Sequence, residues 1–178
     1  RRGKGIYQIK IVTIKNTNVE TAGELKLNSS GYGTDTKNLD SAIMNYGVAT
    51  IDGIKITRTG DAYYAVYNEG ELTISGSTEI TATNAESKHG KPSLIRNNGG
   101  EVTINNGTFD GGSAATNVYM DGFDDATSKL TINGGTFNGS NSMTFTIYGE
   151  VTVNGGTFSA KEGKYVFAVD SSINAGKL

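Results

Sequence analysis

Apolar and polar residues alternate along this chain in short runs that end in Asn or Gly. In Val102-Thr103-Ile104 the two aliphatic residues face one way and the threonine the other, as the two-residue period of a strand requires. The same pattern stands at Val12-Thr13-Ile14, Ala49-Thr50-Ile51, Leu72-Thr73-Ile74, Leu130-Thr131-Ile132 and Val151-Thr152-Val153. Three copies extend almost unchanged, as Thr103-Ile104-Asn105-Asn106-Gly107-Thr108-Phe109, Thr131-Ile132-Asn133-Gly134-Gly135-Thr136-Phe137 and Thr152-Val153-Asn154-Gly155-Gly156-Thr157-Phe158. The Asn-Gly or Gly-Gly pair predicts a turn, because these residues adopt positive φ at little cost. Phe109, Phe137 and Phe158 each stand 5 residues beyond the last aliphatic position and predict a second strand re-entering the interior. Ile56 and Val19 keep that offset, and Ile80 falls one residue out of phase. A third strand is predicted at Tyr64-Ala65-Val66-Tyr67, Ser93-Leu94-Ile95, Thr144-Phe145-Thr146-Ile147 and Tyr165-Val166-Phe167-Ala168. A second marker, Asn45-Tyr46-Gly47, Asn68-Glu69-Gly70, Asn98-Gly99-Gly100 and Tyr148-Gly149, precedes several copies.

Positions 14, 51, 74, 104, 132 and 153 are separated by 37, 23, 30, 28 and 21 residues. A period near 20–30 with variable gaps points to stacked coils. The prediction is an all-β chain forming one domain over residues 1–178, a parallel β-solenoid of about six coils with three short strands each. The coils start near residues 12, 49, 72, 102, 130 and 151. Strands of successive coils pair about 4.8 Å apart, so like residues stack and six coils make a rod of about 29 Å. Phe109, Phe137 and Phe158 then form an inner aromatic stack, and Ile51, Ile74, Ile104, Ile132 and Val153 an aliphatic one. Asn105, Asn133 and Asn154 are expected to form a ladder whose amides satisfy backbone groups at the bend, with Ser75 and Asp52 in the same place in earlier coils. An antiparallel sandwich is the other fold that Gly-rich turns suit, and the near-identical recurrence at coil length disfavours it.

The repeated Thr-Ile-Asn-Gly-Gly-Thr-Phe motifs resemble those of the right-handed parallel β-helix superfamily, whose best-known members are pectate-lyase-like. They are similar to repeats of Gly-rich surface proteins of gut bacteria and of phage tailspike and fibre proteins. The resemblance covers roughly residues 6–178. It implies a single-stranded right-handed winding and an extracellular setting, on a bacterial cell surface or a virion. Phage spikes of this fold are commonly trimers, so it also implies a homotrimer as one assembly. Lyases, adhesins and tailspikes all use the fold, so function has to be argued from a site. Ile173-Asn174-Ala175-Gly176-Lys177-Leu178 resembles the start of another coil, which predicts a piece of a longer chain whose solenoid ends are capped by flanking domains or partner chains.

Composition narrows the function classes. Of 178 residues 25 are Gly, 22 Thr and 17 Asn, a diet unsuited to helix interiors. The absence of Cys excludes disulfides, thiolate metal sites and cysteine nucleophiles. A formal charge of −2 gives no electrostatic footprint for nucleic acid. No run approaches the ~20 apolar residues of a spanning helix, which predicts no membrane insertion. Nothing in the residues calls for a cofactor.

Candidate chemistry is sparse. Polygalacturonase-like members of the superfamily use Asn-Thr-Asp, Asp-Asp, Gly-His-Gly and Arg-x-Lys elements; here Asn16-Thr17-Asn18 lacks the carboxylate and His89 stands in Lys88-His89-Gly90. Asp124-Asp125 matches in letters, but adjacent strand residues point to opposite faces and cannot flank one scissile bond. Tyr119-Met120-Asp121-Gly122-Phe123-Asp124-Asp125 interrupts a compact coil, and Asp121, Asp124 and Asp125 are a weak hard-oxygen candidate for Ca²⁺ without EF-hand spacing. Tyrosines concentrate in or near the third strand and its following turn. Exposed rings on a rigid sheet stack on sugars while neighbouring polar groups bind hydroxyls, which nominates Tyr46, Arg58, Asp61, Tyr63, Tyr67, Arg96 and Tyr148 as ligand-binding residues. The outward Thr13, Thr50, Thr73, Thr103, Thr131 and Thr152 lack the second threonine rank that ice binding needs, and β-propensity explains them. Glu71, Glu101, Lys129 and Glu150 form a charged stripe beside them. The expected function is a non-catalytic recognition or adhesion module for carbohydrate or a host-surface receptor. A polysaccharide lyase or glycoside hydrolase and a structural spacer or fibre segment are the alternatives.

Overall fold

The computed structural model describes residues 11–17, 20, 23–29, 41–60, 64–83, 93–112, 116–121, 127–139, 143–147 and 149–169. Within them the chain winds through strands β1 (Ile11–Lys15), β2 (Glu24–Ser29) and β3 (Ser41–Asn45), then β4 (Val48–Asp52), β5 (Lys55–Gly60) and β6 (Tyr64–Asn68). The next coils are β7 (Glu71–Ser75), β8 (Glu79–Thr83) and β9 (Ser93–Asn98), and β10 (Glu101–Ile104), β11 (Thr108–Asp110) and β12 (Thr116–Asp121). The last two are β13 (Ser128–Ile132), β14 (Thr136–Asn138) and β15 (Met143–Ile147), and β16 (Gly149–Val153), β17 (Thr157–Phe158) and β18 (Tyr165–Val169). Every third strand pairs in parallel, giving three six-stranded sheets: β1-β4-β7-β10-β13-β16, β2-β5-β8-β11-β14-β17 and β3-β6-β9-β12-β15-β18. This is a parallel β-solenoid of six coils and three strands per coil.

Equivalent residues lie over one another. In the first sheet Ile14, Ile51, Ile74, Ile104, Ile132 and Val153 are Cα partners in turn. The four central isoleucines are fully buried, each contributing about 1.5–3 kcal/mol of burial. The intervening threonines form an outward column, flanked by the stripe in which Lys129 Nζ meets Glu101 Oε1 at 2.8 Å. In the second sheet the rings of Phe109 and Phe137 stack at 4.7 Å and 5°, and those of Phe137 and Phe158 at 5.0 Å and 9°. Ile80 is in register with Phe109 despite its shifted phase, because the turn from Ile74 is one residue longer and closes around Thr78 Oγ1. In the first coil the residue in this column is Leu25, paired with Ile56. Val19, expected there from its offset, lies outside the described residues.

Two ladders of asparagine run along the axis. Asn133 Nδ2 donates to Asn105 Oδ1 and Asn154 Nδ2 to Asn133 Oδ1, each at 2.8 Å, and all three are exposed. Their amides therefore serve one another rather than the backbone. The bend they flank is instead held by backbone bonds such as Asn133 N to Ile104 O. The second ladder is internal. Asn45 Nδ2 donates to Asn68 Oδ1 at 2.7 Å and Asn68 Nδ2 to Asn97 Oδ1 at 2.8 Å. Here the amides do satisfy bend carbonyls, those of Gly70, Glu71 and Gly100. The stacked residue in this coil is Asn97 and not the Asn98 of the marker triplet, because the turn to Gly100 holds one residue more than that from Asn68 to Gly70. At Gly70 a Cβ would stand 2.1 Å from Gly47 O, so close winding at this corner requires glycine.

The third sheet bends. Direct pairing skips Ala42, Ala65, Leu94 and Asn117, and both Ala65 and Val66, like both Leu94 and Ile95, sit in the apolar core. Strict alternation is lost there, so Tyr64 and Tyr67 reach the same outer side, their ring centroids 6.0 Å apart.

Candidate functional site

The outer side of the third sheet gathers aromatic and charged groups that neighbouring coils bring into register. Tyr67, Arg96 and Tyr119 are Cα partners in succession on β6, β9 and β12. The Arg96 guanidinium lies between two rings, its Cζ 5.4 Å from the Tyr64 centroid and 5.2 Å from that of Tyr119, within cation–π range. One of its terminal amino groups donates to Tyr64 Oη at 2.5 Å and the other to Asp121 Oδ2 at 2.5 Å. Burial opposes the Arg96 charge, but the Tyr64 oxygen and the Asp121 carboxylate outweigh it and hold the guanidinium above its ordinary range. The Nε of Arg96 is buried and has no hydrogen-bond partner among the described residues.

Tyr67 is nearly sealed, at 4% exposure, and supports this face rather than presenting a ring. Its hydroxyl donates to Glu69 Oε1 at 2.5 Å and accepts from Asn98 Nδ2 at 2.9 Å. Burial first, and then the Glu69 bond, raise the Tyr67 phenol well above its usual value. Burial likewise raises Tyr64, against the opposing pull of Arg96. Tyr46 is the ring that faces out: it is 63% exposed and its centroid is 6.2 Å from that of Tyr67. Met44 is exposed beside it on β3, in register with Tyr67.

Of the nominated residues, Tyr46, Tyr67 and Arg96 come together here. Arg58 does not join them on the surface. It shares the inward phase of Ile56 on β5, pairs in register with Ala82 and is buried, because a two-residue step along the strand returns to the core face. Asp61, Tyr63 and Tyr148 lie outside the described residues, as do His89, Asp124 and Asp125. Asp121 is described, and its carboxylate is committed to Arg96. Among the described residues no three His, Cys, Asp or Glu side chains cluster as a metal site.

No family model, curated protein or solved structure matches this chain. The likeness to pectate-lyase-like β-helices therefore rests on the repeated motifs alone.

Tyr64, Glu69, Asn98 and Tyr119 complete the cluster: Tyr64 and Tyr119 belong to the tyrosines concentrated near the third strand, whereas Glu69 and Asn98 stand in the turn markers and carry no binding signal. Asn98 stands two residues beyond Arg96 on one strand face, a spacing visible in the sequence. Tyr64 was hidden by the bend, since alternation alone puts it opposite Tyr67. The resulting surface is a projecting aromatic ring beside a polar rim whose side chains are held by one another.

Proposed function

We propose that the outer face of the third sheet is a non-catalytic carbohydrate-recognition surface, carried by an extracellular solenoid on a bacterial cell or a phage particle. The supporting observation is the exposed Tyr46 ring set against Tyr67, whose partner in the next coil, Arg96, is paired with Asp121; about a quarter of each of these last two side chains reaches solvent (24% and 29%). A sugar ring has apolar C–H faces and a polar edge, and it is recognised by stacking on an aromatic plate beside oriented hydrogen-bonding groups. Pre-organisation favours the reading. Tyr64, Tyr119 and Asp121 hold the guanidinium before any ligand arrives, so binding forfeits little side-chain freedom.

The test is a glycan array read alongside a reducing-end assay, with Tyr46→Ala and Arg96→Ala variants. Binding without product, weakened about tenfold by Tyr46→Ala, supports recognition; a stacking contact and its buried area are worth that much. Tyr46 is exposed enough for its removal to leave the fold unchanged, as circular dichroism would show. Released oligosaccharide would establish a lyase or hydrolase instead. Silence in both assays would leave a spacer.

A further inference from the structure

The corner at which the third sheet turns into the first sets a ring beside a carboxylate. Asn45 pairs with Asn68 and Val48 with Glu71, and the two turns are equal in length, so Tyr46 and Glu69 occupy equivalent positions on successive rungs. Backbone bonds from Glu69 N to Asn45 O and from Glu71 N to Gly47 O hold that register on both sides. The two side chains therefore leave the backbone one ladder step apart, about 4.8 Å. Both are exposed. Tyr67 lies against each of them: its ring centroid is 6.2 Å from that of Tyr46, and its hydroxyl donates to Glu69 Oε1. Asn98 comes next in the column and donates to the same oxygen at 3.2 Å.

The charge at this corner is one-sided. No bond engages Glu69 Oε2 among the described residues. Glu71, two residues on, is exposed as well, and neither carboxylate forms an ion pair among the described residues. Arg96, the cation of the neighbouring cluster, is committed to Asp121. Asn98 is 8% exposed, and its Oδ1 is buried without a hydrogen-bond partner among the described residues. The corner thus offers negative charge and unused acceptors beside an exposed ring. An anionic sugar meets two carboxylates there. A metal ion finds too few fixed oxygens to replace its hydration. A neutral sugar stacks on Tyr46 and leaves the Glu69 charge unanswered. An ammonium group uses both features, donating N–H bonds to the carboxylate while its positive charge lies near the π face.

Resting on the carbohydrate reading of this face, we propose that its ligand is an amino sugar with a free amine, lying on the Tyr46 ring with its ammonium group turned to Glu69. The experiment titrates the ¹⁵N-labelled chain at about pH 6, where an amine of this kind is protonated. The probes are the β-linked disaccharide of glucosamine, its N-acetylated form and cellobiose, which differ only in the group beside the anomeric carbon. Saturable shifts of the Glu69 and Gly70 amides are expected, with the free amine bound about tenfold more tightly than the other two, the combined worth of an exposed charge pair and a cation–π contact. Glu69→Gln, which keeps an acceptor for Tyr67, brings that preference below about threefold, whereas Glu79→Gln on the second sheet leaves it intact. Equal binding of the three disaccharides, tighter binding of the acetylated one, or a tenfold preference that survives Glu69→Gln overturns the amino-sugar proposal and leaves the carbohydrate reading standing. Absence of saturable shifts with all three overturns it too, and the glycan array then decides the wider reading separately.

Discussion

Replacing Phe137 by alanine removes the middle ring of three that stack inside the second sheet. Phe137 is completely buried and has a parallel ring on either side, at 4.7 and 5.0 Å. Truncating a buried phenylalanine costs about 3–5 kcal/mol in lost transfer energy and cavity formation. Each aromatic pair adds roughly 0.5–1.5 kcal/mol beyond area, so two lost pairs put the expected cost near the top of that span, about 4–5 kcal/mol. Phe158 supplies the internal control. It is only half-buried and has one parallel partner, with Phe167 tilted beside it, so Phe158→Ala is expected to cost about 2 kcal/mol. Urea unfolding followed by far-ultraviolet circular dichroism and by tyrosine fluorescence measures both variants, and coincidence of the two signals checks that the coils unfold together. A cost below about 1 kcal/mol for Phe137→Ala, or an equal cost for Phe158→Ala, would refute the claim that depth within the stack sets the energy.

The two asparagine ladders make opposite predictions. Asn68→Ala leaves the buried Asn97 Oδ1 without its donor and takes one bond each from Asn45 Nδ2 and Gly70 O, which keep Glu71 O and Glu101 N, for an expected loss of about 2–3 kcal/mol, whereas water replaces the exposed Asn133 amide and its loss stays under about 1 kcal/mol; equal midpoints in urea would contradict this. Tyr64 and Tyr67 have raised phenol pKa values, so above the ordinary phenol range the unfolded chain releases protons that the folded chain keeps. Stability is therefore whole below that range and falls as pH rises through it, and an alkaline absorbance titration should show two phenolates appearing only as the chain unfolds.

The solenoid was legible because each coil repeats the same inward letters, and the pairing of Ile104 with Ile132 or Phe109 with Phe137 follows from laying copies over one another. Phase was harder to read. Ile80 and Asn97 show that a turn one residue longer leaves the column intact while shifting the letters. The site was legible only in outline. Tyr46 and Arg96 follow from outward alternation, but the bend at Ala65 and Leu94 brings Tyr64 into reach, and no local signal in Tyr-Ala-Val-Tyr announces a bend. Arg58 was misplaced for the converse reason. An arginine two residues after Ile56 reads as surface by its charge and as core by its position, and position prevails.

The spacing between coils carries one further meaning. Ile51 and Ile74 are 23 residues apart and Ile74 and Ile104 are 30, yet each pair occupies adjacent rungs. Much of the difference falls at one corner: β5 ends at Gly60 and β6 begins at Tyr64, while β8 ends at Thr83 and β9 begins at Ser93. The rod thus keeps time regardless of what is hung from that corner. Foreign peptides can be grafted there, one per turn of the winding, and would emerge in a row along a single side of the shaft.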